Sequence, residues 1–376
     1  MTTLSQPYWN ALGRICNETI KPAAPEVDAR GMFPTQSIKA VAGAGLMGAV
    51  SAREAGGLGL GVGAAADIVR RIAQECGSTA MVLCMHYCGV AVLEAHAPLE
   101  VRRAAASGEH LSTLAFSEEG SRSHFWAPAG TARAEGADVI LDARKSWVTS
   151  AAAATAYVWS SRPLAAEGLS TLWLVPARTP GVEVSGRFDG LGLRGNDSSP
   201  VVARGARIAA AAMLGQDGKG FDIMMGTVLP MFNALSAACA VGLMEAAVQR
   251  TAEHAGRIRH ADTGGRLADL PTIRNYIARM RVMTAMARTL LDDTAAAIQA
   301  GRDDTMLRVL ECKAAAAEAA DQVMNLAMRV CGGAAFRKET GVERCFRDAR
   351  AAGVMAPTTD VLYDFIGKAV CGMKLF

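Results

Sequence analysis

Two short stretches carry residue types suited to binding a flat ligand with a polar edge. The first is LAFSEEGSRSHF, residues 114–125, where a strand-like run ends in Ser117, Glu118, Gly120, Ser121 and Ser123. Small hydroxylated residues on a turn expose backbone N–H groups and hydroxyl donors, which suit a phosphate or a polar ring edge. A solvated turn is the plainer reading. The second is KSWVTSAAAATAYV, residues 145–158. Trp147 offers a flat π-surface, and Thr149 offers a hydroxyl two residues on, on the same side of a strand. A core tryptophan in a strand is the alternative. Two other patterns carry less. Gly59, Gly61 and Ala64 satisfy GxGxxA, but no strand precedes them, so a mobile glycine-rich connection is expected rather than a dinucleotide site. Cys84 and Cys88 lie four apart on one helix face, and buried thiols are expected there rather than metal ligands.

The elements that must position these stretches change character twice along the chain. Residues 1–110 read as helical, with Asp28, Gly31 and Pro34 dividing the first helix from the second. Residues 111–212 hold short β-rich runs (LSTLAF, ADVILDA, KSWVTS, AYVWSS, STLWLVP, GVEVSGRF, SPVVA) separated by Gly, Pro, Asp and Asn, which predicts a small sandwich or barrel. Residues 213–376 return to helix. Ile273, Ile277, Met280, Thr284, Ala287 and Leu291 recur at steps of three and four, as do Met306, Leu310, Ala317, Ala320, Met324 and Ala327. That spacing predicts long antiparallel helices in a four-helix-type bundle, with Gly301 ending one helix and Asp303 capping the next. The fold class is therefore α+β with its elements segregated: an N-terminal helical domain, a central β domain and a C-terminal bundle. This order argues against an alternating α/β nucleotide-binding fold.

Composition sets bounds on partners. A chain of 376 residues exceeds one ordinary core, and 51% hydrophobic against 20% charged residues marks a well-buried globular protein. The net charge is only +3 and the basic residues are dispersed, so nucleic acid is not an expected partner. The nine cysteines include no CxxC pair, and no metal site is expected. The most apolar run, VLPMFNALSAACAVGLM (228–244), is interrupted by Pro230, Asn233 and Ser236 and predicts a buried helix rather than a membrane span. The start of the chain lacks the features of a signal peptide, which points to a cytosolic protein.

The two stretches, in this order and at this spacing, resemble the acyl-CoA dehydrogenase superfamily, and the resemblance covers nearly the whole chain. PAAPEVDARGMFPTQSIKAVAGAGLMGAVSAREAGGLGL is similar to the family's N-terminal helical domain. GLGLRGNDSSPVV (190–202) and MLGQDGKGFDIMM (213–225) are similar to its exit from the β domain, and AMRVCGGAAFRKETGVERCFRDAR (327–350) to a C-terminal stretch. The resemblance implies an FAD between the β domain and the bundle. It implies that Phe116 and Ser117 meet the flavin ring edge through their backbone. Ser123 would lie near a pyrophosphate of FAD or CoA, and Trp147 and Thr149 would cover the flavin face and its N5 side. It also implies a homodimer or homotetramer in which a neighbouring subunit reaches FAD with Arg257, for which Arg259 competes, while Gly332 and Gly333 let backbone approach the adenosine diphosphate with Thr358 nearby. Arg329 stands where the family has a glutamine, and could still pair a phosphate. The implied substrate is an acyl thioester of CoA or a carrier protein. A flavin reductase or an electron-transfer protein is the implied redox partner.

One family feature is missing. Removing an α-proton from an acyl thioester needs a positioned base, usually a carboxylate. The family's commonest position for that glutamate aligns with Ala356, in GVMAPTTDVL, and its alternative position aligns with Phe232. Asp360, one helical turn along, His124, which replaces an aspartate, and His86, on a helix that borders the pocket in relatives, are the candidates left. Three readings follow. The first is an oxygenase working through a flavin–oxygen adduct, which needs no α-proton base, and the sequence leans this way. The second is an acyl-CoA dehydrogenase with a relocated base. The third is an inactive acyl-CoA or flavin binder.

Overall fold

The computed structural model describes residues 5–121 and 124–375. Among the described residues six α-helices form the N-terminal part: α1 (Gln6–Ile15), α2 (Lys21–Arg30), α3 (Thr35–Gly43), α4 (Val62–Ala73), α5 (Gly77–His96) and α6 (Leu99–Ser107). The glycine-rich connection before α4 is pinned, not mobile as the sequence suggested. Leu58, Gly59 and Leu60 donate backbone hydrogen bonds to Gly48, Ser51 and Ala49, and a Cβ at Gly57 would stand 2.3 Å from the Ser51 carbonyl oxygen. Glycine is used there for close approach of two backbones.

Two four-stranded sheets follow. One has the order β1 (Ser112–Ala115), β4 (Ala156–Ser161), β5 (Thr171–Pro176), β8 (Met213–Leu214), with β1 and β4 parallel. The other runs β2 (Thr131–Glu135), β3 (Asp138–Val148), β7 (Ser199–Ala209), β6 (Val182–Val184), all antiparallel. Inward residues of both sheets, among them Val139, Leu141, Tyr157, Trp159, Trp173, Val201 and Ile208, share one core, so the β domain is a sandwich. KSWVTS forms no strand of its own. It continues β3 and runs past its end, and the β3–β7 register shifts between Lys145 and Val148. TARAE, which becomes β2, is mostly exposed and lacks the alternation that marks a half-buried strand.

The C-terminal part contains α7 (Gly220–Ile223), α8 (Leu229–Arg257), α9 (Pro271–Ala300), α10 (Thr305–Cys331), α11 (Val342–Ala349), α12 (Ala351–Val354) and α13 (Thr359–Val370). A wider π-helical turn, Met224–Val228, precedes Pro230. It sits where proline removes an N–H from the helical ladder. Gly301 ends α9 in the left-handed region (φ 61°), as its position predicted. The cap of α10 is Asp304 and not Asp303, and its carboxylate accepts from Arg302 and Arg308 instead of the helix backbone. Both α5 and the Gly220–Arg257 helix are long and apolar enough to cross a membrane, but 78% of each apolar window is buried within the protein. Helices of the N- and C-terminal parts share one core, including Leu83, Tyr87, Leu235, Val241, Leu310 and Met324.

Candidate active site

A cavity of about 630 Å³ opens where the sandwich meets the helices. Met85 of α5 lines it, with Leu114, Phe116 and Ser117 from the end of β1. Ser146, Trp147 and Thr149 come from the end of β3, and Phe188, Leu193, Asn196 and Ser198 from the loop before β7. The helical wall is Val228, Leu229 and Phe232 together with Arg347, Arg350, Val354, Met355 and Ala356. Its size and mostly apolar lining suit a small-molecule site.

The β-domain wall is held by a buried ion pair. Lys145 Nζ donates to Glu118 Oε1 at 2.5 Å, to the Ser160 carbonyl at 2.7 Å and to Ser160 Oγ at 2.9 Å. Glu118 Oε2 accepts from the backbone N–H groups of Ala129 and Gly130 at 2.5 and 2.9 Å. The ammonium also stands 5.1 Å over the Trp159 ring. Burial lowers the Lys145 pKa to about 8, and Glu118 opposes the shift. The pair ties the turn after β1 to both sheets, and so fixes Phe116 and Ser117.

Trp147 does not follow strand alternation. It has φ 58° at the β3 irregularity, and its side chain is 70% exposed. Four non-glycine residues have positive φ among the described residues: Trp147, Ser150, Leu193 and Asp197. All belong to the junction between the end of β3 and the loop before β7. Such conformations cost energy and concentrate at functional sites. Ser150 and Ala151 donate to the Asn196 and Asp197 carbonyls at 2.8 and 3.1 Å. Thr149 Oγ1 lies 3.1 Å from Ser198 Oγ. Thr149 thus reaches the cavity beside Trp147, although it lies past the strand end and not in it. Buried Asp348 accepts from the Leu193 N–H at 2.7 Å and holds the same loop. Burial raises its pKa to about 6.

The opposite wall is held by Lys313 of α10. This side chain is 1% exposed and has no carboxylate partner among the described residues. Its Nζ donates to the carbonyls of Ala352, Met355 and Pro357 at 3.0, 2.9 and 2.8 Å, bracketing Ala356. Burial lowers its pKa to about 7, while three accepting carbonyls favour the charged form. Lys313→Met is expected to remove the ammonium donor from two buried carbonyls and one part-buried carbonyl and to cost roughly 2–4 kcal/mol. Urea denaturation measures the loss, and a wild-type midpoint would contradict it.

The sequence-predicted residues divide. Phe116, Ser117, Trp147 and Thr149 line the cavity, as do the apolar residues at both aligned base positions, Ala356 and Phe232. Ser123 lies outside the described residues. Arg257, Arg329, Gly332, Gly333 and Thr358 do not line it. Arg257 is exposed at the end of α8, in a separate cleft of about 450 Å³, and Arg329 stacks 4.8 Å over Tyr276. A Cβ on Gly332 or Gly333 would meet nothing within 4 Å, and Thr358 is the residue just before α13.

None of the three base candidates lines the cavity. His86 is fully buried, and its Nδ1 accepts from the Ser112 N–H at 3.2 Å. His124 is exposed and stacks on Trp126 at 4.9 Å. Asp360 is exposed in the first turn of α13, where a carboxylate complements the helix dipole. Glu118 is the carboxylate that lines the cavity among the described residues, and it is committed to Lys145. Sequence reasoning missed Asn196, Ser198, Phe188, Arg347 and Arg350 as lining residues. Their segments stood in the quoted stretches, but nothing in their spacing aimed them at one cavity.

Comparison with known proteins agrees with this geometry. The N-terminal, middle and C-terminal domain models of acyl-CoA dehydrogenase match residues 8–105, 113–205 and 218–371. The human mitochondrial short-chain specific acyl-CoA dehydrogenase is 31% identical over 350 residues, covering 90% of this chain and 83% of that protein. A glutaryl-coenzyme A dehydrogenase in complex with glutaryl-CoA superposes with a TM-score of 0.92 at 24% identity, over 100% and 98% of the two chains. PigA with FAD and proline superposes with a TM-score of 0.89 at 20% identity, over 98% of each chain. Members of this family are flavin-dependent oxidoreductases that bind FAD. The residues here fit that group. An indole 70% exposed on a cavity wall, with Phe116, Ser117 and the Thr149 hydroxyl beside it, offers a surface that a flat polar-edged ring would cover. Sequence, fold and cavity together place the chain in the acyl-CoA dehydrogenase family, as an FAD-dependent oxidoreductase acting on acyl thioesters.

Proposed function

We propose that this protein oxygenates the acyl group of a thioester, using O₂ and electrons delivered by a separate reductase or electron-transfer protein. One observation carries the reading. Ala356 and Phe232, the two positions aligned with the family's base, both face the cavity, and no unpaired carboxylate among the described residues lines it. FAD, when bound, supplies two-electron exchange with substrate or with O₂. Phe116, Ser117, Trp147 and Thr149 would hold it against the β-domain wall. Met85, Leu229, Phe232 and Met355 offer an apolar surface for the acyl chain and exclude water. The balance is one C–H bond, O₂, two electrons and two protons giving C–OH and water. The substrate thioester is one of CoA or a carrier protein.

A second reading, α,β-dehydrogenation, draws on the 31% identity to a short-chain dehydrogenase. The two separate in one experiment. Flavoprotein under anaerobic conditions is mixed with a panel of acyl-CoA thioesters, and the flavin absorbance is followed. The oxygenase reading expects no bleaching. After chemical reduction and admission of ¹⁸O₂, the product should carry one labelled oxygen. Anaerobic bleaching with an α,β-unsaturated thioester as product would overturn it. Ala356→Glu puts a carboxylate back into the cavity and is expected to stay as inert as wild type in the anaerobic arm. Strong bleaching by that variant would mean the acyl group already lies as dehydrogenation requires.

A further inference from the structure

Asn196 stands out on the cavity wall. It is 3% exposed, it lines the cavity, and its buried Oδ1 has no hydrogen-bond partner among the described residues. Its main-chain groups are paired, and of its polar neighbours Ser150 alone shares the lack, with a buried Oγ that also has no partner among the described residues. Its N–H donates to Leu193 at 2.9 Å and its carbonyl accepts from Ser150 at 2.8 Å, while Ser198 and Thr149 share their hydroxyls. Leaving a buried amide unpaired is costly, so such groups as a rule find a partner. Main-chain bonds on both sides hold Asn196 between Leu193 and Asp197, two of the positive-φ residues, so its position is fixed at the expense of local strain. Rotation about its last side-chain bond exchanges the amide N and O without changing the space filled. The amide can therefore turn either a donor or an acceptor toward the cavity.

We propose that Asn196 is a binding residue whose side-chain amide hydrogen-bonds the polar edge of the flavin ring, on the wall it shares with Trp147, Thr149 and Ser198. The proposal rests on the cavity being the flavin site. Being on the ring, this bond bears on the balance between oxidised and reduced cofactor as well as on affinity. Asn196→Leu removes donor and acceptor at similar volume, and Asn196→Asp keeps the acceptor and adds negative charge.

The test compares wild type, N196L and N196D by FAD dissociation constant, visible band positions and midpoint potential, with melting temperature as the control for folding. N196L is expected to weaken FAD about tenfold and to move the flavin bands. N196D is expected to favour oxidised over reduced flavin at least tenfold relative to wild type, which is about 30 mV more negative for a two-electron couple. A purely structural role would not move the potential of protein that remains folded and loaded. Folded variants with wild-type affinity, bands and potential would overturn the proposal. So would variants that change only the KM for a thioester, because the amide would then face substrate. If wild type itself takes up no FAD, the cavity assignment fails along with it, and that result is distinct from the other two.

Discussion

Glu118→Ala should destabilise the protein by about 3–5 kcal/mol, the cost of stranding a buried charge. The side chains of Glu118 and Lys145 are 4% and 0% exposed, and their contact is the 2.5 Å bond at the foot of the β1 turn. Removing the carboxylate leaves the ammonium hydrogen-bonded to Ser160 alone, over the Trp159 ring, and it also frees the N–H groups of Ala129 and Gly130. A cavity lies beside the pair, so the loss reaches function too: the turn carrying Phe116 and Ser117 would loosen and FAD affinity should fall with stability. Glu118→Gln, which retains both oxygen-side acceptance and shape in part, should lose less. Replacing both partners with apolar residues of similar volume should recover part of the single-mutant cost. Denaturation midpoints of the two single variants and the double variant form the cycle. A double variant as unstable as the sum of the singles would deny the pair any coupling.

Acidification is the second large effect. Burial, with a smaller contribution from nearby His110, lowers the His86 pKa to about 3, and burial lowers that of His110 to about 4. Both lie below the value near 6.5 of an unfolded histidine. The unfolded chain therefore binds protons first as pH falls, and stability is lost from about pH 6.5 downward toward the folded values. By pH 4.5 each histidine should have cost about 2–3 kcal/mol relative to pH 7. His86 has a specific reason to stay neutral. Its Nδ1 accepts the Ser112 N–H, so a second proton would break that bond, and the Met47 backbone, the one group that favours the charged form, does not offset burial. Denaturation at pH 7, 5.5 and 4.5 reads the slope, and His110→Gln should flatten it by about half. A wild-type slope in that variant would remove His110 from the account.

Much of the architecture was legible in the chain itself. Steps of three and four in α9 and α10, the left-handed stop at Gly301, and short runs of β-branched and aromatic residues reflect local periodicity and turn chemistry, which need no distant partner. The four motif residues Phe116, Ser117, Trp147 and Thr149 could also be named, because each lies within a short stretch of characteristic order. The absence at 356 and 232 was equally visible. What the chain order could not convey is convergence. Trp147 leaves its strand through a positive φ stabilised by a loop some fifty residues later, and Asp303 gives way to Asp304 because two arginines compete for the carboxylate. His86, on an apolar helix, was open to two fates; packing against β1 buried it away from the cavity, which no periodicity encodes. Lys313 and Asn196 sit in unremarkable sequence, and only folding surrounds one with three carbonyls and leaves the other's Oδ1 without a partner among the described residues. The sequence by itself thus determined the family, the segregated helices and β domain, and the apolar residues at 356 and 232. The tertiary structure decided which side chains share the cavity and which are locked into its walls, because burial and hydrogen-bond satisfaction are properties of the packed whole.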